Sequence, residues 1–329
     1  MNVRPPIPEK FSRLPLPPPH RGYDLIGFLP FILVHVACFG ALWTGARPID
    51  WVICGVMYLV RIFGVMAGYH RYFSHRTFKT SRAFQLVLAV LAETTGQKGV
   101  LWWASHHRNH HKFSDLPWDW HSPVQRGFWH SHVGWIAERG TEVTDFDRVK
   151  DFAKYPELRA LNKHWMWPPV LLGFATYFAF GWSALFVGFF LSTVLVWHAT
   201  FLVNSLSHVV GKRRFATEDT SRNHWLIAFF TLGEGWHNNH HHYMGSVRQG
   251  FYWWELDVTY YVLRALAWCG VVWDLRVPPP EMLAEGRARD AAARAAARTA
   301  REAARTARVA RVAPVVAAQV APEVTARAS

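Results

Sequence analysis

Histidine is the residue type whose number and spacing in this chain could support chemistry. Nineteen histidines are present, and many of them fall into four groups: HRYFSH at 70–75, HHRNHH at 106–111, NSLSH at 204–208 and HNNHHH at 237–242. Positions i, i+3 and i+4 share one face of a helix, so such groups can present several imidazoles to one point. Imidazole binds iron, zinc, copper or nickel, so the pattern indicates a metal site without choosing the metal.

Helical spacing selects most of the candidate ligands directly. The residues predicted to converge on this basis are His107, His110 and His111, then His237, His240 and His241, then Asn204 and His208, which lie one turn apart. Including the first group, the chain offers nine imidazoles, too many for one tetrahedral zinc with four ligands. Two metal ions sharing the set is therefore the economical prediction.

The choice of ligands is still open in the first group and at two further histidines, His106 and His242. His70 and His75 are five residues apart and would diverge by roughly 140° on a straight helix, so they converge only if the helix ends between them. His106 could replace His107, and His242 offers a further register in the last group. Spacing alone does not decide between these alternatives.

Four apolar stretches are long enough to position these groups as membrane spans of about 20 residues. They are DLIGFLPFILVHVACFGALW, IDWVICGVMYLVRIFGVMAGY, WMWPPVLLGFATYFAF and SALFVGFFLSTVLVWHATFLV. TGARP separates the first two and GW the last two, which predicts two hairpins. Basic residues before the first hairpin and between the hairpins place both termini and the histidine groups in the cytosol.

The fold class predicted is an all-α membrane protein with four transmembrane helices in two hairpins and a cytosolic helical cap that carries the metal site. A fifth apolar stretch, FQLVLAVLAETTGQKGVLWWA, contains charged and polar residues and is predicted to lie at the membrane interface. The predicted domains are a proline-rich cytosolic segment at 1–22, the membrane domain at 23–278 and a flexible, cytosolic Ala/Arg-rich tail at 279–329.

Net charge and cysteine content limit the kinds of binding partner and cofactor that the sequence predicts. The net charge of +13 agrees with a positive cytosolic side, and without a nucleic-acid-binding module it does not predict nucleic-acid binding. The three cysteines show no CxxC spacing, so neither a disulfide framework nor an iron–sulfur cluster is indicated. Electrons for a redox reaction would have to come from another protein.

Together the motifs HRYFSH, HRNHHKFSD, RGFWHSHVGWI, NSLSH and GEGWHNNHHHY resemble the membrane fatty acid desaturases, most closely the stearoyl-CoA (delta-9) type. The resemblance covers roughly residues 25–275 and implies a di-iron enzyme that uses dioxygen and external electrons to insert a cis double bond into a saturated acyl chain. It also implies a metal-ligand set. That set comprises His70, His75, His107, His110, His111, His208, His237, His240, His241 and, through water, Asn204.

The same resemblance implies an acyl tunnel. Its residues are Tyr58, Ile62, Gln97, Trp103 and Thr200, with Phe201 standing where the animal enzymes have Trp. Ile62 occupies the place of a smaller Ala that admits stearoyl chains. We therefore expect a preference for palmitoyl or shorter chains.

Ser105 and His106 stand where the animal enzymes have Arg and Asp near the CoA headgroup. The expected substrate is still a long-chain saturated acyl-CoA, with acyl lipid and acyl carrier protein as alternatives. A ferredoxin or a b-type cytochrome with its reductase is the expected electron donor, and a bacterial cell membrane the expected location.

Two other functions compete with desaturation. A di-iron membrane hydroxylase acting on a lipid or alkyl chain would use the same ligand spacing, since both reactions begin with hydrogen abstraction. A non-enzymatic membrane metal-binding protein would also need histidines. Transport across the bilayer, however, favours ligands at mid-depth, and these groups lie at the predicted cytosolic ends of the spans.

Overall fold

The structure, a computed structural model, describes residues 4–17 and 22–325, with side chains up to residue 308. Residues 1–3 and 18–21 of the predicted proline-rich segment lie outside the described residues. The described chain is mostly helical, which confirms the predicted helical class, and it divides between Pro278 and Pro279 into two units.

The regular elements follow one another with short connections. In chain order the helices are α1 (Leu25–Thr44), α2 (Pro48–Ser74), α3 (Arg82–Glu93), α4 (Val100–Phe113), α5 (Pro123–Arg126), α6 (Phe128–His132), α7 (Lys150–Ala153), α8 (Pro156–Lys163), α9 (Trp167–Phe180), α10 (Ala184–His208), α11 (Trp225–Phe230), α12 (His237–His242), α13 (Val258–Trp268) and α14 (Pro280–Thr325). Short 3-10 turns cover Glu9–Phe11, Gly134–Ala137 and Phe146–Val149. Two strands, β1 (Lys79–Thr80) and β2 (Val272–Trp273), pair antiparallel.

Three of these helices, α1, α2 and α10, are long and apolar enough to cross a membrane. The fourth predicted span corresponds to α9, which is apolar but has only 14 residues. At 1.5 Å per residue it covers about 21 Å, less than the roughly 30 Å of a bilayer's hydrocarbon core. Length and composition therefore establish three candidate spans out of the four predicted.

The connection from α1 to α2 and the connection from α9 to α10 both turn at glycines, and an arginine ties the two connections together. Gly45 (φ 69°) and Gly181 (φ 85°) end α1 and α9 in the left-handed region, which glycine enters without steric cost. Between them in space, Arg47 binds Asp50 at 2.7 Å and also donates to the carbonyl of Phe180 at 2.6 Å. The residue before α2 thus holds the end of α9.

Two spans contain wide helical turns. Residues Gly64–Ser74 of α2 and Ala184–Leu191 of α10 are closed by hydrogen bonds to the fifth residue rather than the fourth. At the end of α2, the amide of His75 donates to the carbonyl of His70 at 3.2 Å. The helix ends at Ser74, and its last wide turn brings the two imidazoles together.

The stretch predicted as one interfacial helix is broken into α3 and α4. Lys98 adopts a φ of 68° in the break, and the carboxylate of Glu93 accepts the amide of Val100 at 2.9 Å, which caps the start of α4. Arg61, buried in α2, donates to the carbonyl of Thr94 at 2.9 Å. The break turns α4 so that its histidines face the end of α2.

The hydrophobic core of the first unit lies around the wide turns of α2. Its fully buried members include Ile62, Val65, Tyr69, Phe73, Leu88 and Leu101. Since α2, α3 and α4 share this core, the first two histidine groups rest on a close-packed support.

The second unit is α14, a single helix. Its arginines up to Arg308 are exposed, and two of them pair within the helix, Arg289 with Glu285 and Arg298 with Glu302. Ion pairs of this spacing contribute about 0.3–0.5 kcal/mol each.

Candidate metal centre

Four separate segments bring the histidine groups to one region of the first unit. His70 and His75 come from the end of α2, three imidazoles from α4, His208 from the end of α10, and three more from α12. Most of these rings are buried. The distances between them divide the nine imidazoles into two clusters.

The five-histidine cluster consists of His70, His75, His107, His111 and His240, whose ligand nitrogens all lie within 4.8 Å of one another. The Nε2 atom of His107 is 2.9 Å from Nε2 of His75 and from Nε2 of His111. The Nε2 atom of His240 is 3.0 Å from that of His70 and 2.9 Å from that of His111. One edge of every ring therefore faces a common centre.

The four-histidine cluster consists of His110, His208, His237 and His241, again with ligand nitrogens within 4.8 Å of one another. His208 and His237 approach through their Nε2 atoms at 3.1 Å, and the rings of His110 and His241 are 5.2 Å apart. Because His110 and His111 are consecutive on α4, the two clusters are adjacent.

The hydrogen bonds at the outer nitrogens show that the inner nitrogens suit a cation. The Nδ1 atom of His241 donates to Asp219 at 2.6 Å, which leaves Nε2 with a lone pair. That Nε2 is buried and has no hydrogen-bond partner in the part of the chain that the structure describes. Orphaned, converging lone pairs are stabilised by a metal ion, so the residues fit one at each cluster.

Protonation supports the same interpretation. Burial, and then the neighbouring imidazoles, hold the pKa of His107 and of His240 well below the ordinary range. The same causes act on the pKa of His111 and of His237. These rings are therefore neutral at pH 7, which is the state that binds metal.

Three aspartates support the four-histidine cluster from outside, and sequence reasoning missed all of them. Asp119 accepts from Nδ1 of His110 at 3.0 Å, Asp115 accepts from Nδ1 of His208 at 3.0 Å, and Asp219 binds His241 as described above. Such partners fix the tautomer and aim the free nitrogen at the metal. A signal was present, since Asp115 and Asp119 closely follow the HHRNHH group.

The carboxylates themselves are held in the ionised form. Burial alone would raise the pKa of Asp115, but the imidazole of His208 and the hydrogen bonds from Thr220 and Ser122 lower it below its ordinary value. Thr220 contributes both its amide at 2.8 Å and its hydroxyl at 2.6 Å. An anionic, fully buried acceptor therefore stands behind His208.

At the five-histidine cluster the supporting carboxylate is Glu234. Its Oε2 atom lies 2.8 Å from Nδ1 of His70, and its Oε1 accepts from Nε of Arg71 at 3.0 Å. Arg71 is fully buried and also pairs with Asp257 at 2.9 Å. Glu234 stands just before the last histidine group in GEGWH, yet sequence reasoning did not assign it a role.

The two alternative ligands, His106 and His242, lie outside both clusters. His106 stacks on Trp102 at 4.2 Å and its Nδ1 lies 3.0 Å from the carbonyl of that residue. His242 stacks on Phe215 at 4.0 Å. Both rings pack against aromatic side chains, so the geometry groups His107 and His241 with the candidate ligands.

His121 belongs to none of the four histidine groups of the sequence, but it lies against the site. Its ring is 4.5 Å from that of His110, and its Nδ1 lies 3.7 Å from Asp119 without a hydrogen-bond partner in the part of the chain described. With His110 and Asp119 it forms a third group that could hold a metal ion. It shares His110 with the four-histidine cluster and is therefore an extension of that cluster.

A cavity of about 840 Å³ runs from the histidines into the apolar helices. Among the predicted tunnel residues and Asn204, those that line it are Gln97, Trp103, Thr200 and Asn204, together with His107. The amide of Gln97 donates to the hydroxyl of Thr200 at 3.3 Å. The volume is within the range of about 300–1,000 Å³ found for ligand pockets.

The other two predicted tunnel residues lie elsewhere. Tyr58 donates its hydroxyl to the carbonyl of Phe230 at 2.5 Å, and Ile62 is fully buried in the core around α2. Neither is among the residues that line the cavity. Their assignment to a tunnel stays a prediction.

The chain is similar in sequence to known proteins. The model of the family described as "Fatty acid desaturase" matches residues 47–271, a range that includes all nine clustered histidines. Acyl-CoA 5-desaturase AL21 of Anemone leveillei is 35% identical over 248 residues, which are 74% of this chain and 77% of that protein. The sn-2 palmitoyl-lipid 9-desaturase of Nostoc sp. (strain 36) is 35% identical over 246 residues, 72% of this chain and 86% of that protein. Delta-9 acyl-lipid desaturase 1 of Arabidopsis thaliana is 34% identical over 262 residues, 78% of this chain and 84% of that protein.

Proposed function

Since the chain belongs to the fatty acid desaturase family, we propose that it forms a cis double bond between carbons nine and ten of a long-chain saturated acyl substrate. Family membership makes it a membrane oxidoreductase that acts on fatty acyl chains. The position of the double bond is proposed because the histidine motifs resemble the delta-9 type and two of the relatives reported above are named as 9-desaturases.

One observation carries the proposal: the apolar cavity ends at the histidine clusters, with His107 in its lining. An acyl methylene has no acidic proton and no leaving group, so acid–base or nucleophilic side chains cannot attack it. The substrate must instead be placed beside a redox centre. The cavity and the clusters provide that placement.

We propose two iron ions, one in each cluster, as the cofactor. Iron supplies one-electron redox chemistry with dioxygen, which zinc lacks. Overall, the acyl chain loses two hydrogens. These two hydrogens, dioxygen, two electrons and two protons together yield two molecules of water. The proposed ligands are the nine clustered histidines, with Asn204, which lines the cavity beside them, acting through water.

The chain's own residues bury and orient the acyl group. Phe31, Trp197 and Phe201 line the cavity with aromatic surface that excludes water from the acyl chain. The hydrogen bond between Gln97 and Thr200 holds the wall near Trp103 in place, where the resemblance puts the bend of the tunnel. Fixing this bend selects which methylene pair lies beside the metal ligands.

The acyl carrier and the electron donor belong to the same proposal. Acyl-CoA is the carrier favoured by the sequence, and a glycerolipid is the alternative suggested by the names of two relatives. Ser105 is buried and His106 stacks on Trp102, so neither offers a cation to a CoA phosphate. Electrons come from a ferredoxin or a b-type cytochrome with its reductase.

The proposed topology has α9 as a fourth span, with both termini and the histidine clusters on the cytosolic side of a bacterial cell membrane. The short connections at Gly45 and Gly181 support two hairpins whose tips share one side. The clusters lie at the opposite ends of α2 and α10. Basic residues in the loops between the hairpins agree with a cytosolic location.

Expression in cells with a ferredoxin system, followed by mass spectrometry that locates double bonds, tests the function. We expect a new monoene at carbons nine and ten from the wild type and none from His110→Ala. His164→Ala is the matched control, since His164 is exposed and outside both clusters, and it should retain the product. Acyl-CoA and glycerolipid fractions collected at early times identify the carrier.

Other products would contradict the proposal in distinct ways. Hydroxylated chains in place of a monoene would establish the hydroxylase that shares the ligand spacing. An iron-loaded chain that changes no lipid in the presence of active ferredoxin and reductase would support the non-enzymatic metal-binding protein.

A further inference from the structure

We propose that the two clusters bind their metal ions with unequal affinity, and that Asp115, Asp119 and Asp219 make the four-histidine cluster the tighter site. This inference rests on the proposed function for the presence of two metal ions. It goes beyond it by assigning the difference between the sites to residues that are not ligands.

The four-histidine cluster is supported on three of its four rings. Asp119 binds His110 at 3.0 Å, Asp115 binds His208 at 3.0 Å and Asp219 binds His241 at 2.6 Å, each through the outer nitrogen. The three carboxylates are at most 8% exposed. Each imidazole is therefore fixed in one tautomer by a separate anion.

The other hydrogen bonds that these carboxylates accept come from neutral groups. Asp115 accepts from Thr220 and from the hydroxyl of Ser122 at 2.7 Å. Asp219 accepts from the hydroxyl of Thr217 and from the amide of Ser221, both at 2.9 Å. These neutral donors bring no positive charge to the carboxylates, whereas a guanidinium in their place would offset the negative charge.

The five-histidine cluster has a different surrounding. Among the described residues, Glu234 is the one carboxylate beside an outer nitrogen of this cluster. It lies 2.8 Å from Nδ1 of His70, and its charge is offset by the guanidinium of Arg71. The Nδ1 atom of His240 has no partner in the part of the chain that the structure describes. These rings are oriented mainly by packing rather than by anions.

The carboxylates predict which of the two clusters binds its metal ion more tightly. A carboxylate partner behind a ligating histidine is worth about 10–100-fold in metal affinity. The four-histidine cluster has three such carboxylates, whereas the five-histidine cluster has one, Glu234, whose charge is partly neutralised by Arg71. The fifth imidazole adds a neutral donor to the five-histidine cluster but no charge, and for a divalent cation the anions dominate.

Equilibrium titration of the full-length, purified protein with cobalt(II) tests the proposal, with free cobalt(II) set by a chelator buffer and followed by its visible absorption. We expect two binding steps of one equivalent each, separated by at least about tenfold in Kd. Asp219→Asn should weaken the tighter step by about 10–100-fold and leave the weaker step unchanged, so that the two steps approach each other.

Glu234→Gln is the matched control, because it removes a buried carboxylate of the other cluster. It should weaken only the weaker step. If Asp219→Asn fails to fold, Asp119→Asn applies the same test to His110. A single unresolved step in the wild type would overturn the proposal, and so would an effect of Asp219→Asn or Asp119→Asn on the weaker step alone.

This test separates failure of the inference from failure of the proposed function, since cobalt binding is measured without turnover. Two separated steps in a chain that desaturates nothing would leave the inference intact and contradict the function. One unresolved step in an active desaturase would do the reverse.

Discussion

Asp115 and His208 are 93 residues apart in the chain, yet their Oδ2 and Nδ1 atoms lie 3.0 Å from each other in a fully buried pair. Asp115 lies in the loop after α4, and His208 ends α10. The contact therefore joins the loop after the second histidine group to the end of α10, and it fixes which nitrogen of His208 faces the four-histidine cluster.

Asp115→Asn should lower the metal content of the purified protein. The amide can still accept a hydrogen bond from His208 but no longer carries a charge, so we expect a loss of about tenfold or more in affinity at the four-histidine cluster. Metal analysis after dialysis against graded chelator measures it. Asp147→Asn, at an exposed position, is the control and should match the wild type. Unchanged metal content in Asp115→Asn would contradict the role of the pair.

Ile62→Ala tests the predicted end of the acyl tunnel. If Ile62 blocks longer chains, the substitution should shift the product profile from palmitoyl toward stearoyl chains, as measured by gas chromatography of methyl esters. Because Ile62 is fully buried, we also expect a loss of about 2–5 kcal/mol in stability. Leu88→Ala in the same core controls for that loss. Destabilisation with the wild-type profile would remove Ile62 from the tunnel.

Glu93→Gln should alter the pH dependence of stability. Burial raises the pKa of Glu93 from 4.5 to about 7, so between these values the folded state holds a proton that the unfolded state releases. Stability from this group is thus present below pH 4.5 and is lost as pH rises through about 7. Glutamine keeps an acceptor for Val100 and does not titrate.

We therefore expect Glu93→Gln to unfold at a higher temperature than the wild type above pH 7 and at the same temperature near pH 4.5. Thermal scans at both pH values measure the difference. Glu218→Gln, at an exposed position, should follow the wild type throughout. An equal shift at both pH values would show that titration of Glu93 is not the cause.

Replacing the exposed arginines of α14 with glutamine tests whether this helix attracts an acidic electron donor. The positions are Arg294, Arg298, Arg301, Arg305 and Arg308. Relative to the wild type, we expect slower electron transfer when the donor is limiting and the ionic strength is low, and an equal rate when the donor is saturating. The rate should also depend less on the salt concentration. Stopped-flow measurement of donor oxidation gives these rates. A salt dependence identical to that of the wild type would exclude the helix as the attracting surface.

The histidine groups could be predicted because their geometry is local. The ligands on α4 are three or four residues apart, and those on α12 follow the same rule, so one helical face explains each group. The pairing of His70 with His75 required more. An α-helix would separate them, and the wide turns of α2 are set by packing that the sequence does not display.

The supporting carboxylates could not be predicted for a different reason. Asp219 belongs to a loop 22 residues before its partner His241, and Asp115 binds a histidine at the end of α10. Each pair is created by tertiary structure, and its members carry no mutual spacing rule. The break between α3 and α4 could not be predicted for a similar reason. The polar character of Glu93 suggested a side chain that faces water, whereas in the structure it turns inward and caps α4.

The distribution of ligands over α2, α4, α10 and α12 also sets an order for biogenesis. Neither cluster is complete before His240 and His241 have left the ribosome, and by then every candidate span has been synthesised. A metal ion held by a complete cluster would therefore be acquired only after these candidate spans have been made.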